Sequence, residues 1–215
     1  MQSNAKSLLG LPPHEFAALY ERFKRREASA GEVIVTQGDK GDTYYIIQSG
    51  RAQVWRGDPL DDQTLLVAEL GPGDAFGEEA VILGGFRNAT VKMVTDGVLL
   101  VLDRATFDDV IRSNYVIEID AAEAHRRVAA HQAVWLDCRY AMEYDETHIE
   151  GAKLVELHQI REASLFLDRD TEYIVYCRSG RRSACAAFLL SERGFKAVSL
   201  KGGLLDWPFS IEKNV

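Results

Sequence analysis

One cysteine stands where its neighbours could make it reactive. In "EYIVYCRSGRRSACAAF", residues 172–188, Cys177 closes an apolar β-rich run and is followed at once by Arg178, Ser179, Gly180, Arg181 and Arg182. A strand that ends in this way and turns into a helix places the thiol beyond the carboxyl end of the strand, where open parallel sheets bind ligands. The backbone N–H groups of such a loop, together with the helix N-terminus, can surround an anion. The same groups and the three arginines favour thiolate over thiol. The plainer alternative is a cysteine that ends a buried strand as a small apolar residue. The combination of strand, cysteine, Arg/Gly loop and small-residue helix favours the nucleophile.

A second constellation lies earlier, in "GPGDAFGEEAVILGGFRNATVKM", residues 71–93. Gly77 precedes a short helical run whose N-terminal amides could face an anion. Glu78 and Glu79 in its first turn suit the helix dipole. Arg87 follows the turn "LGGF" and precedes Asn88, Ala89 and a β-rich run. An arginine can clamp a phosphate bidentately, and a carboxylate can accept from a sugar hydroxyl. By themselves these residues fit an exposed helical turn and a solvated arginine equally well.

Different elements must position the two groups. Residues 12–26, "PPHEFAALYERFKRR", read as a helix, with Phe16, Leu19, Tyr20 and Phe23 at helical spacing. Short β-rich runs follow from 31 to 102, "EVIVTQ", "TYYIIQ", "AQVWR", "TLLVAEL", "ATVKMV" and "VLLVL", divided by glycine-rich turns. That pattern predicts an antiparallel sandwich or barrel. Residues 104–113 predict a short helix, with Thr106 as its cap.

After residue 115 helical and strand-like runs alternate. "IDAAEAHRRVAAHQ" is helical with Asp120 as cap, "AVWLDCR" a strand, "EYDETHI" a short helix, "AKLVEL" a strand and "IREASLFLD" helical. "EYIVYC" is then a strand, "RSACAAFLLSERG" a helix ending at Gly194, and "AVSLKGG" a strand. Alternation of this kind predicts parallel βαβ units. The expected domains are 1–115 and 116–215, joined by a short junction.

The net charge is −8, and both halves are acidic: 12 basic and 17 acidic residues before 116, 13 and 16 after. Broad electrostatic binding to nucleic acid or to anionic lipid is therefore not expected. Any anion site must arise from local clustering. Three cysteines without scaffold spacing argue against a disulfide framework. No apolar run approaches the ~20 residues of a membrane span, and "MQSNAKSLLGLPP" lacks the pattern of a secretory leader. The cytoplasm is the expected location. His148 has no partners at metal-ligand spacing, so no metal site is expected.

"VYCRSGRRS" resembles the active-site loop of the rhodanese-type sulfurtransferases. "VWLDCRYAMEYDETHIEGAKLVEL" and "LKGGLLDW" resemble two further blocks of that family, in family order, so the resemblance covers roughly 116–210. It implies a small α/β domain with a parallel sheet. In it Cys177 takes sulfur from thiosulfate or another sulfane-sulfur donor, becomes a persulfide, and passes the sulfur to a thiol or to cyanide, without a catalytic cofactor. Residues Cys177 through Arg182 form the catalytic loop under this reading, and the three arginines attract the donor. Asp137 and Arg139 match a structural pair implied to hold that loop. The six-residue loop fits sulfurtransferases better than the related dual-specificity phosphatases, whose loop is longer. Cys138 is read as core. Cys185 is also read as core, with a disulfide to Cys177 as the less favoured alternative.

"FGEEAVILGGFRNATV" and "GDKGDTYYIIQSGRAQV" resemble the cyclic nucleotide-binding domains of the catabolite activator protein and of kinase regulatory subunits, over about 14–112. The resemblance implies a β-roll flanked by helices. Glu78 would bind the ribose 2′-hydroxyl and Arg87 the cyclic phosphate, with backbone N–H groups of Gly77, Glu78 and Ala89. Phe86 stands where the family usually has proline, and Asn88 where it has a small residue or threonine. Cyclic AMP and cyclic GMP both remain open as regulatory ligand. No helix-turn-helix segment is found, so DNA binding of the catabolite-activator type is not expected. Together the two halves suggest a cyclic-nucleotide-regulated sulfurtransferase of bacterial type. The alternative is a non-enzymatic signalling or persulfide-carrier module with a degenerate or sensory nucleotide domain.

Overall fold

The computed structural model describes residues 19–58 and 61–213. The chain forms two compact units that divide between Ile111 and Arg112.

The first unit is built from two four-stranded antiparallel sheets. One runs β1 (Lys24–Ala28), β8 (Gly97–Asp103), β3 (Thr43–Ser49), β6 (Ala75–Phe76) in spatial order. The other runs β2 (Val33–Val35), β7 (Thr90–Met93), β4 (Ala52–Asp58), β5 (Asp61–Leu70). Both contribute to one buried cluster: Tyr45, Ile47 and Leu99 from the first, and Ile34, Ala52, Val91 and Met93 from the second. Alternating side chains on β3 and β7 supply these inward positions, as period-two patterning requires. Helix α1 (Glu78–Leu83) interrupts the strands between β6 and β7.

The sequence reading needs two corrections here. Of the expected helix at 12–26, residues 12–18 lie outside those described, Leu19 and Tyr20 are helical, and the chain becomes strand from Lys24. "KRREA" pairs antiparallel with β8, from Lys24 opposite Val101 to Ala28 opposite Gly97, and that long-range pairing overrides local helical preference. The helix from Arg104 is capped not by Thr106 but by Asp103, whose carboxylate accepts from the Thr106 N–H at 2.9 Å. This helix, α2 (Arg104–Phe107), continues through a π-helical turn (Asp108–Arg112) into α3 (Ser113–Tyr115).

The second unit is a five-stranded, wholly parallel sheet in the order β12 (Lys153–Leu154), β10 (Ala133–Asp137), β13 (Glu172–Tyr176), β14 (Lys196–Leu200), β9 (Glu118–Ile119). Helix α4 (Ala121–Ala129) is capped by Asp120, which accepts from the Glu123 N–H at 2.8 Å. It buries Ala124 with Trp135, Ile174, Tyr176 and Trp207 on one face of the sheet. After β10 come α5 (Ala141–Glu146), the short strand β11 (Thr147–His148) and, beyond β12, α6 (Ile160–Ala163). Helix α7 (Arg181–Glu192) packs on β13 and β14. Its run Ser183–Leu190 is entirely buried, and the small residues at its start allow close approach to the sheet. The chain leaves α7 through Gly194 at φ +82°, as expected for a helix C-terminus. A final strand, β15 (Glu212–Lys213), pairs with β11.

The strand expected over "AKLVEL" is real for only two residues, and the helix in "IREASLFLD" for only four. β6 and β9 are two-residue strands in segments that read as turn and helix start; neither is long enough to show alternation.

Candidate functional site

β13 delivers Cys177 to the carboxyl edge of the parallel sheet. The loop is tighter than the sequence suggests, because α7 starts at Arg181 and Gly180 takes the helix-capping position at φ +83°. The loop rests on a second glycine pair. Leu204 N–H donates to the Cys177 carbonyl at 2.9 Å and Leu205 N–H to that of Arg178 at 3.0 Å. Gly203, at φ +61°, lies directly beneath: a Cβ there would run into the Cys177 carbonyl oxygen and come within 2.7 Å of Gly180 N. "LKGGLLDW" is thus the platform under the loop.

Cys177 is buried, with 1% of its surface exposed. The Ser183 N–H donates to its Sγ at 3.4 Å, and the Ser183 hydroxyl lies 3.7 Å from it. Ser183 is itself fixed by the Gly180 carbonyl at 3.0 Å and by Ser199 Oγ at 2.9 Å. Hydrogen bonding from the Cys138 thiol, then from Ser183 and the Ser179 N–H, overcomes the cost of burial and lowers the Cys177 pKa to about 5. Cys138 moves the opposite way: burial and the neighbouring Cys177 push its pKa well up.

The three arginines separate. Arg182 is committed to Glu143 through two hydrogen bonds of 2.6 and 2.7 Å, and it lies 5.6 Å from the centre of the Tyr140 ring. Arg178 is exposed, and its guanidinium makes no hydrogen bond among the described residues. Ser179 and Arg181 are exposed as well. Asp137 and Arg139 form a buried pair, with Arg139 Nη2 2.6 Å from Asp137 Oδ2. Their remaining bonds run to Arg139 N–H and the Thr147 carbonyl, not to the loop. The pair braces the end of β10 to the start of β11, and the Arg139 guanidinium lies 5.8 Å from the centre of the ring of Tyr176, the residue before Cys177. Glu143 and Cys138 are what the residue pattern missed. Glu143 sits on α5, far from the loop in sequence. Cys138 was legible only from the strand register.

In the first unit, the turn into α1 places Gly77 at φ +90°. A Cβ at Gly77 would meet Arg87 Nη1 at 2.6 Å, and one at Gly41 would meet Arg87 Nε at 2.9 Å, so both glycines make room for that guanidinium. Arg87 is 7% exposed, and desolvation pulls its pKa down, against the neighbouring charges of Asp42 and Glu78. Among the described residues its side chain makes one hydrogen bond, Nη1 to the Gly77 carbonyl at 3.1 Å. A guanidinium has five N–H donors. The arrangement leaves guanidinium donors for an anion in a buried setting. Glu78 is buried in the same cassette at 3% exposure, and Ala89 is buried. Asn88 and Glu79 bond to each other at 2.6 Å, with Asn88 exposed. Phe86 is 71% exposed. Arg104 was missed as a site residue. It donates to the carbonyls of Val81 (2.6 Å) and Gly41 (2.8 Å) and so locks α1 to the loop before β3.

Among the described residues no group of His, Cys, Asp and Glu could hold a metal ion, and no helix is long and apolar enough to cross a membrane.

The two units thus define a β-roll with a buried arginine beside a short helix and an α/β domain built around a loop cysteine. Residues 25–114 match the cyclic nucleotide-binding domain family, and residues 120–208 the rhodanese-like domain family. The cyclic AMP receptor protein of Thermus thermophilus is 37% identical over 103 residues, 48% of this chain and 47% of that protein. YtwF of Bacillus subtilis is 36% identical over 91 residues, 42% of this chain and 88% of that one. The thiosulfate sulfurtransferase PspE of Escherichia coli is 36% identical over 74 residues, 34% of this chain and 71% of that one. The chain therefore spans less than half of the first relative and most of the other two. It belongs to the rhodanese-like family through its second unit, and its first unit matches the model of the cyclic nucleotide-binding domain family.

Proposed function

We propose that the protein is a sulfurtransferase that moves sulfane sulfur through a Cys177 persulfide, and that a cyclic nucleotide held by Arg87 and Glu78 regulates it. The observation that carries the reading is the setting of Cys177: a thiol whose pKa is lowered to about 5 by donors aimed at its sulfur, at a strand-to-helix loop with exposed arginines.

The Cys177 thiolate attacks the outer sulfur of thiosulfate. The sulfur–sulfur bond of the donor breaks, and sulfite leaves with the electron pair. The thiolate of an acceptor then attacks the outer sulfur of the persulfide, and Cys177 returns as thiolate. Splitting the transfer in two is covalent catalysis. The Ser183 and Ser179 N–H groups stabilise negative charge on sulfur in each state. Arg178 and Arg181, both exposed, draw in the dianionic donor. Arg182, tied to Glu143, holds the start of α7 in place. The near-complete cover of Cys177 favours a small anion over a bulky phosphate ester.

In the first unit the buried Arg87 takes the cyclic phosphate and Glu78 the ribose hydroxyl. Regulation requires the nucleotide to have different affinity for two states of the protein. Transfer from thiosulfate to a thiol or cyanide, measured for wild type and Cys177→Ser with and without cyclic AMP or cyclic GMP, tests both parts. Turnover should be lost in Cys177→Ser, and one nucleotide should change the wild-type rate. Equal turnover in both proteins would remove the catalytic role of Cys177. Unchanged rates under demonstrated nucleotide binding would remove the regulation.

A further inference from the structure

The established family chemistry uses one cysteine, but the sheet register sets a second beside it. β10 and β13 are parallel neighbours with Leu136 opposite Val175 and Asp137 opposite Tyr176. One step further along the same register places Cys138 opposite Cys177, and the Cys138 N–H continues the ladder by donating to the Tyr176 carbonyl at 3.0 Å. Register partners in a sheet share a face, and neighbouring strands lie ~4.8 Å apart. Disulfides span Cα separations of about 4.4–6.8 Å. The Cys138 thiol is buried, lies 3.2 Å from the Tyr176 carbonyl oxygen and is the largest influence lowering the Cys177 pKa. Both cysteines are free thiols.

We propose that Cys138 is a resolving thiol that discharges the Cys177 persulfide inside the protein, forming a Cys138–Cys177 disulfide and releasing the carried sulfur as hydrogen sulfide. The proposal rests on the persulfide reading of Cys177 given above. Cys138 attacks Sγ of Cys177, the residue set opposite it by the strand register. A bond forms between the two cysteine sulfurs, the bond from Sγ to the outer sulfur breaks, and the outer sulfur leaves with the electron pair. The Cys138 proton goes with it. The outer sulfur is reduced to sulfide and the two cysteines are oxidised, so no external oxidant takes part. The register that sets Cys138 opposite Cys177, rather than leaving-group ability, directs the attack to the inner sulfur. An external dithiol returns the disulfide to two thiols. Burial keeps Cys138 protonated, so this discharge is slow and serves when no acceptor thiol is at hand. The second product would be a locked enzyme, silent until reduced.

The experiment is an anaerobic incubation of the full chain with thiosulfate and no acceptor, followed over time by intact mass, by sulfide release and by disulfide mapping. Wild type should first gain one sulfur atom. It should then lose that atom and two hydrogens while releasing one sulfide per chain, and the bond should map to Cys138 and Cys177. Cys138→Ser and Cys138→Val should stop at the sulfur adduct and release no sulfide; the valine variant preserves apolar packing if serine disturbs it. Cys185→Ser should behave as wild type. If wild type and the Cys138 variants hold the adduct equally long, the resolving role is wrong and the persulfide reading stands. A bond that maps to Cys185 also overturns it. If no protein ever gains sulfur, both the inference and the underlying reading fall.

Discussion

A buried cysteine ordinarily keeps its proton, because burial penalises the charged form. Cys177 is 1% exposed and still has its pKa lowered to about 5, because the Cys138 thiol, Ser183 and the Ser179 N–H all donate to it. Hydrogen bonding to the charged form outweighs desolvation here. Cys138 contributes most to that lowering and is itself pushed well up, so only one of the two titrates in the acid range. Alkylation of Cys177 by a small reagent should therefore rise as pH climbs through about 5 and stay flat above it. In Cys138→Ala the midpoint should move upward, towards an ordinary thiol. Rates mapped by mass spectrometry check this. A midpoint unmoved by the substitution would mean that the loop amides alone hold the thiolate.

At the scale of elements, the loop depends on a segment about 25 residues downstream. The turn after β14 carries Gly203 at φ +61°, a region that costs side-chain-bearing residues energy, directly under the Cys177 carbonyl. Gly203→Ala should destabilise the second unit by at least ~1 kcal/mol and depress sulfur transfer by shifting the loop. Urea unfolding beside an activity assay reads both effects; a fully stable, fully active variant would show that the platform does not set the loop. Much of this arrangement was legible in the residues. The six long β-rich runs, the alternation after 115, the Asp120 cap and the end of α7 at Gly194 all follow from periodicity and capping. What was not legible depends on distant partners. "KRREA" is a strand because β8 pairs with it, β6 and β9 are too short to show a period, and Thr106 yields the cap to Asp103. The same holds at the site. Cys177 and its arginines announce themselves in sequence, whereas Glu143, Arg104 and the Cys138 contact exist only once strands and helices are placed.

For the whole molecule, two local groups of cationic side chains sit on one acidic chain of net charge −8. In the first unit the cation is buried Arg87; in the second it is a group of arginines at a helix start. Arg87 has one side-chain hydrogen bond among the described residues and two glycines clearing its space, as a phosphate-binding guanidinium needs. Calorimetric titration should show binding of cyclic AMP or cyclic GMP to wild type. Arg87→Ala should weaken it by about 1.5–3 kcal/mol, the range for a charged hydrogen-bonded pair, while sulfur uptake by Cys177 survives. Equal affinity in the variant would place the nucleotide elsewhere or deny it a role.

In the proposed transfer, formation of the persulfide at Cys177 comes before any acceptor, any discharge and any regulation. Sulfite release in a single turnover reports it directly: an excess of the full chain is mixed with thiosulfate in the absence of acceptor, and sulfite is counted against Cys177→Ser. One sulfite per thiosulfate consumed, with the sulfur atom mapped to Cys177 at the earliest times and no release from Cys177→Ser, is the expected result. Sulfite release that persists in Cys177→Ser, or none from wild type, would contradict it.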